Sequence, residues 1–293
     1  MILLSKLKEI YVDNFDLLLK NIFFLISALI ILGIIESLLL GYKKSSLYDL
    51  FTFKNESAKT DLVYYCLTLF NLVVFISPIL SLFIPYLFGK GIRAYLHLNL
   101  GNNYFNSIAH FILFLIILDF FNYWQHRFMH KVKLLWIIHS VHHSASDLNL
   151  ITVYREHPLD HAINSIFTAI PIGLMGYPPV DYFYIYMILA ILAHLKHGKI
   201  PFKFGLIGKY IFQSPYYHHL HHSTDPRCHN KNYANNFIIW DHVFGTFYDP
   251  KVDEKRIEIG LEFYNKKQQP FIKQFMETIY QFYKYIYCKI STK

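Results

Sequence analysis

Seventeen histidines lie in the 293-residue chain, and eleven of them fall in four short runs with the spacing of metal ligands. His126 and His130 in HRFMH are four apart, so on a helix they share one face. HSVHHS places His139 three and four residues before His142 and His143. YYHHLHHS repeats that HxxHH spacing with His218, His221 and His222, leaving His219 outside it, and AHLKHGK offers His194 and His197 three apart. Three imidazoles on one helical turn repel when protonated, and a shared cation removes that cost. One histidine of the third run added to the other eight makes nine imidazoles, too many for one ion of ordinary coordination. Two metals sharing them is the economical count. Neutral imidazole suits iron, copper, nickel and zinc, so ligand type leaves the metal open.

Asp119 stands seven residues before His126, two turns back on the same face, where it is expected to accept a hydrogen bond from the far nitrogen of a ligating imidazole. Competing chemistries lack their residues. There is no Glu three residues before a His for a carboxylate-bridged bundle site, no HExxH, no GxSxG and no phosphate-binding loop. No GxGxxG or CxxCH points to a built-in nicotinamide, flavin or haem, so electrons for any redox step must come from a partner. The three cysteines are widely spaced and outside any CxxC pattern, which argues against a disulfide framework or a thiolate site.

The elements that must position these runs are apolar. Hydrophobic residues make up 54% of the chain and mean hydropathy is +0.27, above the usual range of soluble proteins. Ile22 to Leu40, interrupted only by Glu36, has the length that ~20 helical residues need to cross a bilayer, without the basic start and cleavage site of a signal peptide. Leu62 to Phe88 carries no charge and contains Pro78 and Pro85, and Ile108 to Trp124 is apolar until Asp119. From Ala162 to Ala193 the apolar run is divided by Pro171, Gly173, Gly176, Pro178, Pro179 and Asp181, which predicts two short helices that enter the membrane and return. That even crossing lets the histidine runs before and after it meet on one face. Lys131, Lys133, Lys196, Lys199, Lys203 and Lys209 beside the runs place that face in the cytoplasm, against a weaker pull from Lys6, Lys8 and Lys20.

The expected fold is all-α, a multi-pass membrane helical bundle with a cytoplasmic histidine-rich metal-binding cap. Its parts are an N-terminal transmembrane region (1–107), a histidine-box catalytic domain (108–250), and a basic linker with a C-terminal helix (251–293). Phe271, Phe275, Ile279, Phe282, Ile286 and Ile290 recur at near-helical spacing with lysines between them, which predicts a basic amphipathic helix on the membrane or packed against the domain. The +8 net charge is interleaved with Phe, Tyr and Ile rather than gathered in a polar module, which fits anionic lipid head groups and not nucleic acid.

The series DFFNYWQHRFMH, LLWIIHSVHHS, AHLKHGK and YYHHLHHSTDP resembles the fatty acid hydroxylase superfamily, which includes sterol desaturases, sterol methyl oxidases and alkylglycerol monooxygenase. The resemblance runs from Asp119 to Phe247 and extends into DPRCHNKNYANNFIIWDHVFGTF, although the third box pairs two histidines and Ala234 stands where glycine is common. It implies a di-iron oxygenase, with zinc as a possible substitute metal, that uses O2 and an external electron donor of cytochrome or ferredoxin type. The substrate it implies is a lipid or sterol carbon chain, hydroxylated or desaturated. His126, His130, His139, His142, His143, His218, His221 and His222 map onto family ligand positions, with His197 ahead of His194 in the third box. His157 in YREHPLDH is read as supporting the site rather than ligating. The rival is a non-catalytic metal-binding or transport protein, which would place ionisable groups along its spans rather than at one face.

Overall fold

The computed structural model describes residues 15–70, 88, 91–92, 94–95, 108–175, 179–250, 257–261 and 269–291. Among them every regular element is helical, and backbone pairing outside helices is confined to isolated bridges at Phe212–Phe237 and Ser223–Ile259. The elements are α1 (Phe15–Leu40), α2 (Ser46–Thr52), α3 (Glu56–Leu69), α4 (Ile108–Lys131), α5 (Lys133–His143), α6 (Pro158–Met175), α7 (Pro179–His197), α8 (Gly205–Tyr210), α9 (Pro215–His221), α10 (Ile239–Val243) and α11 (Phe271–Ser291).

Of the described helices, only α1 is long and apolar enough to cross a bilayer, over Leu19–Leu40. Phe23, Ile31 and Leu38 on it are exposed, as suits a helix meeting lipid. The expected span from Leu62 to Phe88 lies largely outside the described residues. The expected span from Ile108 to Trp124 is a single helix that continues to Lys131, so it is the upper part of the element carrying His126 and His130. The divided apolar run forms α6 and α7, of 18 and 19 residues, with 176–178 outside the described residues. Pro171 does not end α6, which runs on to Met175.

Polar side chains start and join these elements. The Ser45 hydroxyl caps α2 by accepting from Tyr48 N, and the Asn55 side chain caps α3 by accepting from Ala58 N at 2.8 Å. Glu36 is buried rather than facing lipid. Its carboxylate accepts from the backbone N–H of Lys199 at 2.6 Å and from that of Ser46, tying α1 to the loop that follows α7. Arg155 is wholly buried and meets wholly buried Asp61 at 3.0 Å, while its other nitrogens donate to the Ser57 hydroxyl and carbonyl. Asp61 also accepts from Asn149 and Thr152, so α3 is fastened to the 149–155 segment. An apolar cluster of Leu25, Leu50, Tyr65, Leu69, Ile151, Tyr154 and Ala190 seals the same junction.

Around this base α4 packs on α5 and α6, and α7 on α1 and α9. The helix α11 lies against α5 and α3: Gln274 and Thr278 are buried, Gln274 donates to the Ser144 hydroxyl, and Phe271 meets Tyr64. Ile272, Met276, Ile279, Tyr283 and Ile290 form an exposed stripe on its other side. Packing and amphipathicity thus coexist on different faces of one helix.

Removing the charge of Asp61 leaves a guanidinium buried without its counter-ion. Asp61→Asn is expected to cost about 3–5 kcal/mol, read as a lowered unfolding midpoint of the detergent-solubilised chain.

Candidate metal centre

Four helix ends converge on one point. The last turns of α4 carry His126 and His130, and the chain reverses at Val132 into α5, which carries His139 and, in its last turn, His142 and His143. The end of α7 supplies His197, and α9, started by Pro215 in its first turn, supplies His218 and His221 with His222 at its C-cap. The result is two groups of four imidazoles: His126, His130, His143 and His221 in one, and His142, His197, His218 and His222 in the other. Within each group the candidate ligand atoms all lie within 4.8 Å of one another.

The nitrogen separations are those of ligands on a common ion. His126 Nε2 and His221 Nε2 are 3.1 Å apart. His197 Nε2 lies 3.2 Å from His142 Nε2 and 2.9 Å from His218 Nε2, and His222 Nε2 lies 3.2 Å from His218 Nε2. Nitrogens bound about 2.1 Å from one metal in tetrahedral or octahedral geometry stand about 3.0–3.4 Å apart.

Main-chain carbonyls decide which nitrogen carries the proton. His126 Nδ1 donates to Tyr233 O at 2.7 Å, and His221 Nδ1 to Lys231 O at 2.8 Å. Each neutral ring therefore presents an Nε2 lone pair, and the two lone pairs face each other. A cation is required between them. A proton fills that role poorly, because burial holds both rings well below the ordinary histidine range, His221 at about 3. His197 has the same design, with Nδ1 donating to Ala193 O at 2.9 Å. His130 and His143 contribute buried Nε2 atoms that have no hydrogen-bond partner, and His142, His218 and His222 meet the second group through Nε2. The donor set fits two metal ions.

The backbone around Tyr233, whose carbonyl orients His126, is itself held by carboxylates. Asp241 accepts from Tyr233 N and Ala234 N, both at 2.8 Å, and from the Thr246 hydroxyl. Asp119 accepts from Asn236 N, the Asn236 side chain and Phe237 N. Asp119, expected to bond an imidazole, instead fixes this loop, because its oxygens are taken by the 236–237 backbone and the Asn236 amide. Asn230 and Asn232 take left-handed backbone conformations, which asparagine tolerates, and Asn232 pairs through its amide with both backbone groups of Tyr248.

The carboxylate that does bond an imidazole is Asp160, at the start of α6, whose Oδ2 accepts from His139 Nδ1 at 2.8 Å. His139 belongs to neither group of four. Its ring centroid stands 5.0 Å from those of His126 and His130 and 5.3 Å from that of His142, with its Nε2 buried and unpartnered. Asp160 and Asp241 were both missed in the sequence, although their runs, HPLDH and IIWDH, were singled out. An isolated Asp carries no spacing signal.

His194 stands outside both groups, with both nitrogens engaged: Nδ1 donates to Leu150 O at 2.6 Å and Nε2 meets the Tyr154 hydroxyl at 3.3 Å. His219 likewise bonds Gly198 O. His157 accepts from Leu159 N and stacks on Phe275 of α11, where it supports packing. Two lysines read for orientation have structural partners: Lys196 bonds Asn235, and Lys199 bonds Asp49 and Asp147.

The profile of the family described as Fatty acid hydroxylase matches residues 111–246. An ornithine lipid hydroxylase of Rhizobium tropici is 34% identical over 139 residues, which is 47% of this chain and 42% of that protein. Human alkylglycerol monooxygenase is 34% identical over 143 residues, covering 49% of this chain and 31% of that protein. A sphingolipid C4-hydroxylase of Schizosaccharomyces pombe is 28% identical over 169 residues, covering 56% and 53%. The alignments with the first two therefore span less than half of those relatives' length. No solved structure matches the chain.

Two outcomes test the centre. His221→Ala is expected to remove one metal equivalent, while His194→Ala keeps both and costs about 1–3 kcal/mol of stability through its lost buried hydrogen bonds; metal analysis and thermal unfolding separate the two. Histidines held below their unfolded value take up protons on unfolding. In the metal-free chain, stability is therefore complete above the ordinary value of 6.5 and is lost as pH falls toward about 3, the folded value of His197. Unfolding midpoints against pH, after chelation, check this.

Proposed function

We propose that this chain, whose residues 111–246 match the fatty acid hydroxylase family, is a membrane-embedded di-iron oxygenase that hydroxylates or desaturates the carbon chain of a lipid or sterol. The observation that carries the reading is the pair of four-imidazole groups, in which main-chain carbonyls direct the lone pairs of His126, His221 and His197 inward. In this reading His126, His130, His143 and His221 hold one ion and His142, His197, His218 and His222 the other. His139, oriented by Asp160, stands beside both. Iron bound there supplies activation of O2 with two external electrons, and so the removal of hydrogen from an unactivated C–H bond.

The chain's own contribution is to fix the ligands, keep the imidazoles neutral by burial and exclude water from the centre. The named relatives act on ornithine lipids, alkylglycerols and sphingolipids, which supports a lipid as substrate. The reading includes a multi-pass bundle with the histidine face toward the cytoplasm, supported by α1 and by the exposed lysines Lys131 and Lys133 at the α4–α5 corner. A metal-transport role would use ionisable groups along the spans. Glu36, the carboxylate within α1, instead has both oxygens engaged by backbone N–H groups.

The purified chain is expected to hold two irons. With reductant and 18O2, it should place label in a lipid recovered from the membranes, detected by mass, and His142→Ala should abolish the label while the chain still inserts. Metal-bound protein that never yields an oxygenated or desaturated lipid would sink the reading.

A further inference from the structure

The described surface carries a cavity of about 410 Å³ between α5 and α11, open on one side and lined by Lys133, Trp136 and Ser140 from α5 and by Glu277, Lys284 and Tyr285 from α11. Its size is that of a ligand or docking pocket rather than a packing defect. The side of α11 that lines it includes buried Thr278 and lies opposite the exposed apolar stripe. A bilayer against that stripe would leave the cavity on the side of α11 turned away from the lipid.

Trp136 gives the cavity its interest. The indole lines it and also packs on the metal-centre imidazoles, with ring centroids 4.9 Å from His130 and 5.4 Å from His143. Both belong to the first group of four. One aromatic side chain thus spans the whole distance from an open surface to the candidate ligands. The rim is basic: Lys133 and Lys284 outnumber Glu277 in the lining, and Lys133 and Lys289 stand 5.7 and 5.8 Å from the Tyr285 ring.

We infer that this cavity receives the acidic face of a one-electron carrier protein and that Trp136 connects the docked carrier to the imidazoles of His130 and His143. The inference rests on the oxygenase reading, which needs two electrons per turnover that the chain does not store. Each docked carrier gives up one electron and leaves oxidised; two dockings reduce the centre by the two electrons required. Charge complementarity selects the carrier: a basic rim steers an acidic protein and makes its binding weaken with salt.

The full chain in nanodiscs tests this with a soluble, acidic [2Fe–2S] ferredoxin as the probe. With the zinc-loaded chain, where no electron moves, the Lys133→Glu/Lys284→Glu variant is expected to weaken ferredoxin binding roughly tenfold at low salt and to flatten its salt dependence. With the iron-loaded chain, Trp136→Leu is expected to lower the ratio of ferredoxin-driven to dithionite-driven reduction about tenfold; general damage to the centre would slow both reductants and leave the ratio unchanged. Unaltered ferredoxin binding after charge reversal overturns the docking site. So does the case in which the reversal abolishes binding of anionic vesicles alone, since the lysines then belong to the bilayer. An unchanged ratio in Trp136→Leu overturns the role of the indole. Iron that dithionite itself cannot reduce overturns the oxygenase reading instead.

Discussion

Two imidazole lone pairs aimed at each other are an arrangement that protein groups alone do not favour. His126 and His221 are committed to it because their other nitrogens donate to Tyr233 O and Lys231 O. Burial then removes the proton as a solution and leaves a metal cation as the remaining one. A folded chain that keeps the eight imidazoles of the two groups within ring contact is strained electrostatically only if they are charged. The architecture around them keeps them neutral and in place.

Much of the rest of the structure serves that end at one remove. Asp241 and Asp119 grip the two ends of the 233–237 backbone, so the carbonyl at Tyr233 does not drift. His194 and Glu36 lock the end of α7 and the residues after it, which sets where His197 arrives. The Arg155–Asp61 pair fastens the 149–155 segment, to which His194 is bound, onto α3. Helices α1 to α3 and α11 lie outside the matched family segment, yet they supply the groups on which it leans.

The histidine spacing made the centre legible because HxxxH and HxxHH are statements about one helical face, and α4, α5 and α9 are helices there. The two-metal count followed from arithmetic on imidazoles, and the structure divides eight of them into two groups of four. What spacing could not convey was partnership across the chain. Asp119 looked like a partner for His126 because it shares a helical face with it, but its oxygens are taken by a loop more than a hundred residues away. His194 and His197 look equivalent in AHLKHGK, and only the approach of Leu150 O and Tyr154 to the first tells them apart. Lys196 and Lys199 read as surface charges and are bound to Asn235, Asp49 and Asp147. Helix-breaking residues were over-read at Pro171, where α6 continues without ending.

The orienting of His126 and His221 by peptide carbonyls has an evolutionary side. A carbonyl is present whatever the side chain, so Lys231 can change without turning the His221 ring, whereas Tyr233 also packs its buried side chain on the His126, His130 and His221 rings. A single inserted or deleted residue in that stretch would instead shift both carbonyls out of register at once. The loop is thus strict in length as well as at its buried Asn232 and Tyr233, and drift in this lineage should conserve the spacing between His221 and Asp241.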